Sequence, residues 1–340
     1  MNIVFRVDTR YLSGGGHFYR CLNLARSLKN RNTYFIIDKT SLYFKKILTL
    51  NKFKYFDLKK NKSNLLYEKN DSLKTLEILK NNKKFDLIIL DNYSLGKRWE
   101  ISIKNFVKKT LVIDDLNRPH ECNFFLNQNL PIYKKKDYRI PSNCKKLLGP
   151  KYCILNPVYK KFKNKIKKRK KINNIILFMG VTDSAKLTFK VLNAFLHKDL
   201  LKYNLKIVVG NSNKDFSKIK KLSKKRNKTK VHFKLDNLAK LIQNSDLGIS
   251  SGGSVVWEYL YFSLPNLILS YSKKQSPNSI FLEKKKYSLI IGNKNIHLNK
   301  LLENIKKKIS IFEKIKPYNN KKSLVDGRGT ARIKKKILMK

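Results

Sequence analysis

The chain has 340 residues, too many for one ordinary α/β layer and enough for two, and 41% of them are apolar, enough to fill a core in each. That composition excludes a disordered or low-complexity protein, and no apolar run reaches the ~18 residues of a membrane span. The formal net charge is +54, but Lys outnumbers Arg 65 to 12 while Asn rises to 36 and Ala falls to 5, which is compositional drift and not the Arg-centred chemistry that reads phosphates and base edges. A specific nucleic-acid partner is therefore not expected, although such a field can draw in anionic substrates.

Residues 2–7 read as a strand that begins the first unit, with an Arg and an Asp where a secretion signal would need its apolar stretch. A cytoplasmic monomer is the expectation. Residues 17–28 follow as a helix with Leu22, Leu24, Ala25 and Leu28 to one side, and 33–37, 86–90 and 110–113 read as further strands. The β-then-α rhythm predicts a parallel sheet covered by helices. Four cysteines (21, 122, 144, 153) and five histidines (17, 120, 197, 232, 297) show no metal-ligand spacing, so neither disulfides nor a metal nor another cofactor is expected.

Residues 160–171 carry nine basic residues in twelve and follow Leu148-Gly149-Pro150, which predicts a surface connection. The rhythm then restarts with strands over 174–179, 205–209, 231–234, 247–250 and 267–270. The fold class expected is α/β, two doubly wound Rossmann-like domains facing a central cleft. The boundaries are 1–158, a basic linker 159–172, 173–318, and a C-terminal helix within 319–340 that packs back on the first domain.

Three glycine loops follow strands. Ser13-Gly14-Gly15-Gly16-His17 opens the first helix, where the positive end of the helix dipole favours a neutral His17 imidazole, a general base. Ser250-Ser251-Gly252-Gly253-Ser254 opens another helix, with Ser254 expected as its N-cap and free amides suited to a diphosphate. Glu258, one turn in, is placed to accept from both hydroxyls of a ribose. Gly180-Val181-Thr182-Asp183-Ser184 is expected to face the same diphosphate, through Gly180, Thr182 and Asp183.

The run Phe5-Arg6-Val7-Asp8, Gly14-Gly15-Gly16-His17 and Arg20-Cys21-Leu22-Asn23-Leu24-Ala25 resembles the amino-terminal signature of a known family. These are the UDP-2,4-diacetamido-2,4,6-trideoxy-β-L-altropyranose hydrolases of pseudaminic acid biosynthesis and the related spore-coat polysaccharide proteins. Asp91-Asn92-Tyr93, Ile113-Asp114-Asp115-Leu116, Leu126-Asn127-Gln128-Asn129, Leu148-Gly149-Pro150-Lys151-Tyr152, Met179-Gly180-Val181-Thr182-Asp183, Ser251-Gly252-Gly253-Ser254 with Trp257-Glu258, and Val325-Asp326-Gly327-Arg328-Gly329-Thr330-Ala331-Arg332 continue it in order.

The resemblance implies the two-lobed fold of B-type glycosyltransferases. UDP would rest on the second lobe, and metal-free hydrolysis would take place at the anomeric carbon with His17 activating water. It further implies a sugar-side set of Gly14, Gly15, Gly16, Arg20, Tyr93, Lys274 and Gln275, and a ribose contact at Glu258. Two positions depart from the family pattern. Val181 stands where a second glycine is usual, and Lys274-Gln275 replaces an Asn-Gln pair, which brings a cation able to meet a phosphate. Two other functions compete with hydrolysis: a glycosyltransferase of the same architecture, and a basic nucleic-acid-binding protein, which predicts tight and steeply salt-dependent binding.

Overall fold

A computed structural model describes residues 1–10, 15–28, 32–38, 42–58, 67–130, 133–163, 171–271, 276–314 and 323–339. Gly14, Lys274, Gln275 and most of the expected linker (164–170) lie outside the described residues. The chain forms two compact units, Met1–Leu155 with Arg328–Lys340, and Asn156–Gly327.

The first unit contains β1 (Asn2–Val7), β2 (Asn32–Asp38), β3 (Lys54–Leu58), β4 (Phe85–Asp91), β5 (Val107–Ile113), β6 (Phe124–Asn127) and β7 (Lys145–Leu148). They form one sheet in the order β3-β2-β1-β4-β5-β6-β7, parallel at every pairing. Ile3, Phe5 and Val7 enter the core on one face, packed with Phe18, Leu22 and Ala25 of the helix Gly16–Ser27. Val4 enters the opposite core with Ile36, Ile88, Leu90 and Trp99. A strand buried on both faces reads as a continuous apolar run, which is why 2–7 and 86–90 were legible without alternation.

The second unit contains β8 (Asn174–Phe178), β9 (Asn204–Val209), β10 (Thr229–Phe233), β11 (Leu247–Ser250), β12 (Asn266–Ser270) and β13 (Leu289–Asn293), in the order β10-β9-β8-β11-β12-β13 and again all parallel. Both units have the doubly wound order, which reverses between β1 and β4 in the first and between β8 and β11 in the second. Ligands of such sheets bind outside the carboxyl ends of the strands at that reversal.

The second unit begins at Asn156, well before the expected 173, so the span expected as a linker (159–172) falls within it, and it runs to Gly327, beyond residue 318. Glycines fix the return. A Cβ on Gly327 (φ +77°) would stand 2.5 Å from the Tyr261 ring of the second unit, and one on Gly329 would stand 2.1 Å from the Cys153 carbonyl oxygen of the first. Among the described residues no helix is long and apolar enough to cross a membrane.

Candidate functional site

In the first unit, Val7 at the end of β1 pairs with Asp91 at the end of β4, so Asp91 sits at the sheet's reversal point. Gly15 takes a left-handed φ of 73° there, which a Cβ would disfavour, and turns the chain into the helix that begins at Gly16. His17, on the first turn, is 6% exposed. Its Nδ1 lies 2.5 Å from Asp91 Oδ1. Arg20, one turn on, donates to the same carboxylate through Nε (2.8 Å) and Nη2 (2.7 Å). Burial raises the Asp91 carboxyl, but Arg20 and His17 outweigh it and hold it at about 2. The ionised carboxylate accepts, so Nδ1 carries the hydrogen, and Nε2 is the ring nitrogen turned away from Asp91.

Tyr93 meets His17 edge-on, with ring centroids 4.5 Å apart at 86°, and its hydroxyl donates to Asp115. Burial, then the Asp115 charge, pushes the Tyr93 phenol up, so it stays protonated. The neighbouring Asp114 turns elsewhere, to Arg118 and His120. Adjacent strand-end carboxylates thus serve separate partners, as opposite-pointing side chains should.

The structure brings His17, Arg20 and Tyr93 together, but it assigns Arg20 to Asp91, through both Nε and Nη2. Asp91 is the residue that sequence reasoning missed as an orienting group. Its signal was an acid at the end of an apolar strand, and its partner is 74 residues away.

In the second unit Ser250, ending β11, pairs with Phe178, ending β8, so the two glycine loops leave neighbouring strand ends at the reversal point. Gly252 (φ +83°) has no room for a Cβ, which would fall 2.9 Å from both Ile268 Cγ2 and Ser279 Oγ. Gly180 (φ +113°) has only open space within 4 Å on that side. Gly210 lies against the Val181 backbone, where a Cβ on Gly210 would stand 2.2 Å from the Val181 carbonyl oxygen.

Three expectations need correction. Asp183 does not face outward. Its two oxygens accept from the amides of Leu187 (2.9 Å) and Thr188 (2.8 Å) and cap the helix Leu187–Ala194. Ser254 holds the N-cap position of the helix Val255–Tyr261, but its hydroxyl makes no capping bond, because its own backbone is already helical (φ −58°, ψ −27°). Thr182 is buried in the loop, whereas Gly253 stays partly exposed. Glu258 is partly buried and accepts from the Tyr159 hydroxyl at Oε2. Burial raises its carboxyl, Tyr159 opposes, and the result is about 7.

The model of the glycosyltransferase family 28 C-terminal domain matches residues 158–337, which is more than half of the chain. The chain belongs to that family. The family 28 match covers all six strands of the second unit. The whole chain is similar to the UDP-2,4-diacetamido-2,4,6-trideoxy-beta-L-altropyranose hydrolase of Campylobacter jejuni, 26% identical over 85% of this chain and 98% of that one. It is also 27% identical to an uncharacterized protein of Methanocaldococcus jannaschii over 88% of its residues, and spans 64% of that relative's length. Acinetobacter baumannii MurG has the same fold, with a TM-score of 0.63 over 98% of this chain and 100% of that one, at 12% identity.

Proposed function

We propose that this protein hydrolyses a UDP-linked diacetamido-trideoxy sugar at its anomeric carbon, releasing UDP and free sugar for a pseudaminic-type nonulosonic acid. The observation that carries the reading is the Asp91–His17 pair at the reversal point of the first sheet. It leaves Nε2 as a base beside an aromatic ring. Water gives its proton to Nε2 as its oxygen bonds to the anomeric carbon, and the C–O bond to phosphate breaks with its electron pair leaving on UDP. Asp91 steadies the imidazolium that forms. On the second unit the Gly180 and Gly252–Gly253 loops take the diphosphate, and Glu258 takes the ribose with the oxygen that Tyr159 leaves. Displacement at carbon with a diphosphate leaving group needs no metal in this scheme. The full-length similarity to the Campylobacter hydrolase supports the substrate class.

The family 28 match favours a second reading, transfer of the sugar to an acceptor. One experiment separates the two. With a panel of UDP-diacetamido sugars, no acceptor, excess chelator and ¹⁸O-water, the hydrolase releases UDP promptly and carries the label in the free sugar. Label in UDP would mean attack at phosphorus, and UDP release that waits for an added acceptor would mean transfer.

A further inference from the structure

Arg118 follows β5 and is gripped from two sides. Its Nε donates to Asp114 Oδ2 at 2.9 Å, while Nη1 donates to the carbonyls of Tyr93 and Leu95, each at 2.8 Å, and Nη2 reaches that of Asn92 at 3.3 Å. The same Asp114 oxygen lies 2.6 Å from Nε2 of His120, whose Nδ1 lies 2.6 Å from Glu100 Oε1. His120, Asp114 and Glu100 are each about 1% exposed. Both ring nitrogens face carboxylates, so each needs a hydrogen and His120 is an imidazolium. Burial opposes that charge, but Asp114 and Glu100 outweigh it and carry His120 to about 9.

Two cations therefore face two carboxylates, a balanced arrangement that loses much if one member is removed. What this cluster holds through Arg118 is the backbone just after β4, and that backbone carries the Tyr93 ring that meets His17 edge-on. The guanidinium also lies over the same ring, 5.9 Å from its centroid.

We propose that Arg118 is a positioning residue: anchored by Asp114 and His120, it fixes the Tyr93–Leu95 backbone and thereby holds the Tyr93 ring against the His17 imidazole. Arg118 acts only through Tyr93. The ring limits rotation of the imidazole, so Nε2 stays aimed while Asp91 holds Nδ1. A misplacement of about 1 Å at such a base costs on the order of 10²-fold in rate. The proposal rests on the reading of His17 as the base.

The test uses the full chain. Arg118→Gln removes the fork, and Arg118→Lys keeps the charge on one nitrogen but cannot hold Asp114 and the Tyr93 and Leu95 carbonyls from separate atoms as Nε and Nη1 do. Arg118→Gln is expected to lower kcat about 10- to 100-fold, with KM for the UDP-sugar and the affinity for UDP within twofold of wild type; Arg118→Lys should recover part of the loss. NMR of the ¹⁵N-labelled His17 ring should show its Nδ1 proton sharp in wild type and broadened in both variants. A folded Arg118→Gln protein with wild-type kcat and unaltered His17 signals overturns the proposal. If Arg118→Gln does not fold, Arg118→Lys with wild-type kcat and wild-type signals overturns it equally. If the wild-type protein releases no UDP from any UDP-sugar, the hydrolase reading falls instead, and the His17 signals alone decide the clamp.

Discussion

In the mechanism proposed for His17, which ring nitrogen offers its lone pair is set by Asp91, whose carboxylate holds the hydrogen on Nδ1. Asp91→Asn keeps the shape but presents an amide that can donate to Nδ1, which moves the ring hydrogen to Nε2. We expect Asp91→Asn and His17→Ala each to lower turnover ~10²–10⁴-fold while UDP affinity stays within twofold; steady-state kinetics beside calorimetry checks this, and wild-type turnover in His17→Ala would sink the mechanism. Glu258 makes a second residue-scale prediction. Its carboxyl at about 7 is protonated in acid and ionised above neutrality, and only the ionised form accepts from both ribose hydroxyls. UDP affinity should therefore rise with pH between 6 and 8, and Glu258→Gln should flatten that rise. The diphosphate ionises identically in both proteins, so the comparison removes its share. Parallel pH dependence in wild type and variant would assign Glu258 a purely structural role with Tyr159.

The elements differ in how plainly they were written. Interior strands such as β1, β4 and β11 are short apolar runs and were legible to within a residue or two. The missed strands β3, β7 and β13 are sheet edges, where Lys54, Lys145 and Gly292 interrupt the apolar pattern because one side needs no partner. β6 was also missed although it is interior, and its four residues are no fewer than those of β11. The glycine loops were legible as loops, yet the two jobs of their glycines were not. Gly252 is required by packing and by φ, whereas Gly180 is required by φ alone with open space beside it. Gly252→Ala should thus cost about 1–3 kcal/mol of stability and weaken UDP binding with it. Thermal denaturation and calorimetry read both; an unchanged melting temperature would mean that the loop relaxes around Ile268 and Ser279. Asp183 was misread because a strand-end acid and a helix cap look alike in sequence until the next helix is seen to start at Leu187.

At the scale of the molecule, the charge of +54 was the loudest feature of the sequence and contributed least to the fold, since lysines on solvated faces constrain neither sheet order nor register. What organises the chain is its return. After Gly327 it joins the first unit through the helix Gly329–Leu338, where Ile333 and Ile337 are at most 1% exposed in the core that holds Phe5, Phe18 and Leu22. Arg332 Nη1 ties the helix to the Lys151 carbonyl at 2.8 Å. The first unit is thus built from both ends of the sequence, and its stability depends on a segment synthesised after the second unit. Ile333→Ala should cost about 2–5 kcal/mol, the usual range for a buried Ile truncated in a close-packed core. The loss should be local to the first unit. Deuterium uptake should rise in β1, in the helix Gly16–Ser27 and around Tyr152, while β8, β9, β11 and β12 keep their protection and UDP affinity holds, because every contact named for Ile333 belongs to the first unit. Increased uptake in β8–β12 with β1 unchanged would assign the C-terminal helix to the second unit and overturn this account of the return.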